Sequence, residues 1–273
     1  MLKRSGWLSV AGVLLLAGCQ SQEKEANVAR PLIYQPLEKH YVAPGCAAEK
    51  CSEVQIEALE FPQSPALTEQ LRLRLLALAT GVTEGSRDPA EAWDAYAQDF
   101  FTMAEEDRRI LPEFMASEAQ MKAQVYAQHN DLLIIELTSY VYHAGQAHGL
   151  PMTQFMVIDE RDHHVVSFED MLKPGQEAAF QAALSQAHQR WIEELAQDEQ
   201  FVTHWPLGES RNVAPTPEGW VVKYNVYDIA PYAVGQPELL IRNVSVHSKT
   251  SCRPADIRPT VTSHLPTRGY PHE

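Results

Sequence analysis

The chain has 273 residues, 45% of them hydrophobic and 21% charged, and a formal charge of −14. That length suits one large domain or two small ones and is enough to bury a core without metal or disulfide staples. The composition excludes intrinsic disorder, collagen, a coiled coil and a multi-span membrane protein. The acidic balance argues against a nucleic-acid partner, because phosphate binding needs a basic face.

Residues 1–19 read MLKRSGWLSVAGVLLLAGC. Lys3 and Arg4 form a positive start, and Trp7 to Ala17 is apolar but shorter than the roughly 20 residues that span a bilayer. This is the pattern of a secretory signal. Its end, Leu16-Ala17-Gly18-Cys19, resembles the bacterial lipobox, in which small residues leave the backbone open to a peptidase and the Cys is acylated. The expectation is a signal peptide over residues 1–18 and a lipid on Cys19. Removing those 18 residues leaves 255 and takes Lys3 and Arg4 away, so the charge of −14 becomes −16. Two or more acyl chains anchor stably where one does not. Gln20 and Ser21 follow without an Asp, which resembles an outer-membrane address on the periplasmic side.

Outside the cytoplasm disulfides are permitted. Cys46, Cys51 and Cys252 remain after Cys19, and Cys46–Cys51 is the favoured bridge because it closes a short loop. A metal site needs more ligands than this, and no CxxC or HExxH occurs, so no metal or cofactor is expected.

Residues 19–45 are polar, with Pro31, Pro36 and Pro44, and read as a tether. Val54 to Phe61 reads as a strand. Leu67, Leu71, Leu75 and Leu78 recur at helical spacing, which predicts a helix over 66–80 stopped at Gly81. Asp88-Pro89 with Glu91 reads as a helix start, with Trp93, Ala97, Phe100 and Ala104 on one face. Strands are expected at Met121–Ala127, Leu132–Tyr142 and Met152–Asp159. A turn at Arg161-Asp162-His163 leads on to Val165-Val166. Phe180, Ala183, Leu184, Ala187, Trp191 and Leu195 place a helix over 176–196, expected to cover one face of the sheet. Strands return at Trp220–Val226 and Glu238–Ser245, and residues from Ser251 read as a loose tail. Helices and antiparallel strands without βαβ alternation predict an α+β fold. The division expected is a subdomain over 46–125, a domain over 126–250 and a tail over 251–273.

No GxSxG, P-loop or GxGxxG is present. Glu105-Glu106-Asp107 reads as a solvated helix end. Two stretches stand out as binding candidates. The first runs from Tyr140 through Tyr142, Gly145 and His148 to Gly149, with His143 as a possible companion of His148, and the two glycines permit backbone angles that other residues resist. His148 is open to three roles there: a ligand, a general base or a hydrogen-bonded loop fastener. The second stretch is Tyr224 to Gly235, in which Tyr227, Pro231 and Tyr232 either form a recognition surface or tie down a loop.

These stretches resemble the extracellular domain of the anti-sigma factor RsiV. Its family carries a GGAHG-like element, then F-x-D with two hydrophobic residues, then a YNPYEIAPYAxG-like segment. Here these are Gly145 to Gly149, Phe168 to Leu172 and Tyr224 to Gly235, with Gln146 at the second Gly and Val226 at the Pro. Residues 50–125 resemble, more weakly, the companion domain also found in a peptidoglycan deacetylase. The resemblance implies an α+β binding domain whose partner is lysozyme. The chain shows neither the sigma-binding segment nor the membrane helix of the anti-sigma factors, so an architecture different from theirs is expected. The reading is a lipid-anchored envelope protein that binds lysozyme-type muramidases or peptidoglycan without catalysis. The alternatives are a peptidoglycan-acting enzyme or accessory using His148, and a structural lipoprotein.

Overall fold

The computed structural model describes residues 32–47, 50–81, 92–112 and 115–242. The expectations for the signal peptide, Cys19, the helix start at Asp88, Cys252 and the tail fall outside those residues.

The fold is α+β, as expected, and its centre is a six-stranded sheet in the order β1-β2-β3-β4-β5-β6. The first strand, β1 (Gln35–Val42), lies where the sequence predicts tether. Prolines suggested an unstructured link, but Pro36 sits on the outermost strand, where a missing N–H costs nothing. Leu37 and Tyr41 turn inward onto the core. β1 runs antiparallel to β2 (Glu53–Glu60), in which Val54, Ile56 and Ala58 are buried. The Cys46–Cys51 disulfide closes the link between them.

Two helices follow. The first, α1 (Pro65–Thr80), buries Leu67, Leu71, Leu75, Leu76 and Ala79. It ends at Gly81 with φ +60°, the left-handed cap that glycine adopts freely. The second, α2 (Trp93–Arg108), buries Trp93, Tyr96, Ala97, Phe100 and Ala104 along the predicted face. The two helices carry the chain to β3 (Glu118–His129), which pairs parallel to β2. A crossover of this kind was not anticipated, because two consecutive helices mask the strand-to-strand connection. The boundary expected at 125/126 falls inside β3, so both expected subdomains share one sheet.

β3 and β4 (Leu132–Tyr142) form a hairpin through Asn130, which adopts φ +55°. β5 (Leu150–Asp159) and the two-residue β6 (His164–Val165) complete the sheet antiparallel. β4 is buried on both faces. Leu133, Ile135 and Leu137 join the core under α1 and α2, while Leu132 and Ile134 join a second core on the other side.

The second core is roofed by a three-stranded antiparallel sheet in the order β7-β8-β9. Its strands are β7 (Val213–Thr216), β8 (Gly219–Lys223) and β9 (Glu238–Ile241). β7 escaped the sequence reading because it is short and contains Pro215; it lies at the sheet's edge, where proline fits. β8 stops at Lys223, before the predicted end at Val226, and the chain turns there into the Tyr224–Gly235 loop. Three helices accompany this layer: α3 (Phe168–Met171), α4 (Glu177–Glu194) and α5 (Glu199–His204). α4 packs beside β9, and its Phe180, Leu184 and Ala187 meet Phe155 and Val157 of the large sheet and Trp220 and Val222 of the small one.

An ion cluster links the layers, with Glu136 buried, Lys223 largely buried and Glu238 at its exposed end. Lys223 of β8 places its Nζ 2.5 Å from Glu136 Oε1 on β4 and 2.8 Å from Glu238 Oε1 on β9. Gln124 donates to the second Glu136 oxygen at 2.9 Å. Burial works to lower the Lys223 pKa, but the two carboxylates outweigh it and hold the ammonium above its ordinary range.

Candidate functional site

The β4–β5 loop and the Tyr224–Gly235 loop meet although they are nearly eighty residues apart. Their meeting point is His148. Its Nδ1 lies 3.0 Å from the Gly149 carbonyl and its Nε2 lies 3.2 Å from the Tyr227 hydroxyl. A carbonyl only accepts, so Nδ1 carries the proton, and in the neutral ring Nε2 accepts from Tyr227. The imidazole stacks on Tyr232 with centroids 3.8 Å apart and planes 23° apart. Tyr232 donates its hydroxyl to the same Gly149 carbonyl at 3.0 Å. Tyr227 extends the row to Trp205, just past α5, with ring planes 28° apart.

Gly149 is required for space rather than for its backbone angle. It is buried beneath Tyr140, to whose hydroxyl its N–H donates at 3.3 Å, and a Cβ there would collide with that ring. Gly145 does take the left-handed conformation, φ +86°, and a Cβ on it would press on Leu111 at 3.0 Å. The loop's first half is tied to the helical side, where the Ala144 N–H donates to Ser117 Oγ at 2.9 Å. Its second half is tied to the tyrosines.

The Tyr224–Gly235 loop is held from beneath. Asn225 Oδ1 accepts from the Thr153 N–H at 2.7 Å. Asn212 Oδ1 accepts from the Phe155 N–H at 2.6 Å, and its Nδ2 donates to the Thr153 carbonyl at 3.1 Å. Two asparagine side chains thus take the place of a neighbouring strand along an edge of β5, satisfying groups that burial would otherwise leave orphaned. Asp228 accepts from the Asn225 N–H at 2.7 Å. Burial raises the Asp228 pKa, and that N–H bond offsets part of the rise. Tyr224 is fully buried and donates to the Gly208 carbonyl at 2.8 Å. Its pKa is raised, first by burial and then by Asp228.

Tyr227 itself is strained. It adopts φ +71°, a region that costs a non-glycine residue of order 1–3 kcal/mol, and it is nonetheless 47% exposed. Its N–H donates to the Ala230 carbonyl at 3.1 Å, closing the turn. Pro231, φ −66°, then leads into a single 3-10 turn, Tyr232–Val234.

The structure therefore joins His148, Gly149, Tyr227 and Tyr232 directly, with Pro231 aiming Tyr232. Gly145 belongs to the same loop but packs on the other side. Tyr142 ends β4 opposite Glu118 and makes no ring contact with the cluster. The sequence reading names Tyr140 as the start of the first stretch without giving it a role, and does not single out Trp205, Asn212 or Asn225. Asn225 lies inside the second motif and could have been found there; Trp205 and Asn212 carry no local signal. Among the described residues, no three His, Cys, Asp or Glu side chains gather as metal ligands, and no helix is long and apolar enough to cross a membrane.

Fold and site together define a two-core α+β protein with an aromatic clamp joining two loops at the seam between its sheets. The description of a family of proteins of unknown function, DUF3298, matches residues 169–243, which include the Tyr224–Gly235 loop but not the His148 loop. A DUF3298 family protein from Pseudomonas aeruginosa PAO1, known from its crystal structure, is 35% identical, with 78% of this chain and 92% of that one covered and a TM-score of 0.63. The chain belongs to the DUF3298 family. A member from Bacteroides fragilis NCTC 9343 shares the fold at 20% identity and a TM-score of 0.56, over 77% of this chain and 90% of that one. No curated protein matches the chain. This family is broader than the lysozyme-binding resemblance drawn from the motifs.

Proposed function

We propose that this protein is a non-catalytic binding module of the bacterial cell envelope, lipid-anchored at Cys19 and facing the periplasm from the outer membrane. Its partner in this reading is a lysozyme-type muramidase. The observation that carries the reading is Tyr227, a strained and half-exposed aromatic held in place by His148, Trp205 and the Asn225 frame. A fold that sustains such a residue at its surface presents a rigid aromatic anchor, the kind of side chain that dominates recognition. Lysozyme is cationic, and a strongly acidic protein speeds that encounter at low salt.

The test is titration calorimetry of residues 20–273 against a c-type lysozyme at low and high salt, with peptidoglycan fragments as the second ligand. Binding that weakens with salt and falls by about tenfold or more in Tyr227→Asn supports the reading. Asn tolerates the left-handed backbone, so that variant removes the ring without adding strain. An absence of heat with lysozyme at both salt concentrations overturns it. Labelling with radioactive palmitate, lost in Cys19→Ser, tests the anchor.

A further inference from the structure

One opening of the fold shares no residue with the His148–Tyr227–Tyr232 clamp. It is a cleft of about 310 Å³ where α1, α3 and the residues before β7 meet along β5. Two guanidinium groups line it. Arg211 is spoken for, with its Nη1 2.5 Å from Glu169 Oε1. Arg74, on α1, is half-buried and forms no ion pair or hydrogen bond with any described residue. A guanidinium has five donors and cannot shed its charge, so Arg74, without a partner among the described residues, relies on solvent for its hydrogen bonds and can exchange that solvent for an anion. Burial pulls the Arg74 pKa down, and no carboxylate opposes that pull.

The rest of the lining is mixed. Val165, Val166 and Phe168, all part-exposed, give the cleft an apolar side beside the arginines, while Phe155, Val157 and Met171 behind them belong to the second core. The charges among Arg74, Arg211 and Glu169 sum to a single positive charge. The geometry points to a binding site for a monoanionic carboxylate with an apolar body, its carboxylate paired with Arg74 and its body against Val166 and Phe168. The planar fork of Arg matches a carboxylate in bidentate fashion, which a lone ammonium does not. The volume is at the lower end of the range for small-molecule sites.

The proposal is tested on residues 20–273 by calorimetry and thermal shift with three probes: hexanoate, acetate and inorganic phosphate. Hexanoate is expected to bind and raise the melting temperature, with acetate weaker by about tenfold for want of an apolar body. Arg74→Gln is expected to weaken hexanoate by about tenfold or more while keeping its unliganded melting temperature. Arg74→Lys keeps the charge without the fork, and is expected to fall between the two. Should Arg74→Gln not fold, Arg74→Lys carries the test: weaker hexanoate binding is expected, and equal affinity overturns the assignment. Silence with hexanoate, equal affinity in Arg74→Gln, or phosphate binding more tightly than hexanoate would overturn the assignment.

Discussion

The two faces of β4 are built on different principles. The face toward α1 and α2 meets aliphatic and aromatic side chains, with Leu133, Ile135 and Leu137 set against Leu71, Leu75 and Phe100. The face toward the small sheet carries Leu132 and Ile134 but also the buried carboxylate of Glu136, answered by Lys223 from across the layer. The difference is one of specification. Apolar surfaces bind without direction and tolerate sliding. An ion cluster and two asparagine clamps fix one register, because any other leaves buried polar groups unpaired. The clamped side is also where the two motif loops meet.

Lys223→Met tests that contrast most severely. It strands Glu136 at 6% exposure, and a loss of about 3–5 kcal/mol in urea unfolding is expected. Replacing Lys223, Glu136 and Glu238 together by apolar residues should recover most of it, since the penalty comes from the unpaired charge. The wild-type cluster should also have a pH signature. The Lys223 pKa is raised, so its contribution is complete below the ordinary lysine value of 10.5 and is lost as pH climbs through the higher folded value. On the helical face, Leu75→Ala should cost about 3 kcal/mol through its cavity. Its cost should not change at alkaline pH, and a pH-dependent cost would mean that the faces are coupled.

Gly149→Ala comes next. The added methyl group meets Tyr140, and about 1–3 kcal/mol of strain is expected. A smaller companion, Tyr140→Leu, should relieve it in the double variant. The least effect is expected from His188, buried on α4 with Nε2 unpartnered. Burial lowers its pKa, so the folded state resists its protonation and stability falls as pH drops below the ordinary value near 6.5. His188→Gln should flatten the stability curve between about pH 7 and 5, and an unchanged slope would assign the acid sensitivity elsewhere.

Much of the helical half was legible in the sequence because periodicity reports burial on one side only. Leu67, Leu71 and Leu75 are spaced as a single stripe and are buried as one. β4 escapes that logic in part: Leu132-Leu133-Ile134-Ile135 is apolar on both faces, so alternation alone does not show that the strand serves two cores. β1 and β7 were hidden by Pro36 and Pro215, which the edges of sheets accept. The motif residues His148, Tyr227 and Tyr232 were found by composition, but their stacking was not, because nothing local says that positions 148 and 232 touch. Gly149 was chosen for the wrong reason. Its need is room for a ring, and a sequence does not show which neighbour presses on a glycine.

The asparagine clamps on β5 have a dynamic consequence. The amide protons of Thr153 and Phe155 are held by Asn225 and Asn212, side chains belonging to the other layer. Their exchange with solvent deuterium therefore times the parting of the two layers rather than the fraying of a strand. A ligand that grips the Tyr224–Gly235 loop should slow these two amides ahead of those shared between β4 and β5. The molecule thus carries its own clock for the opening of that seam.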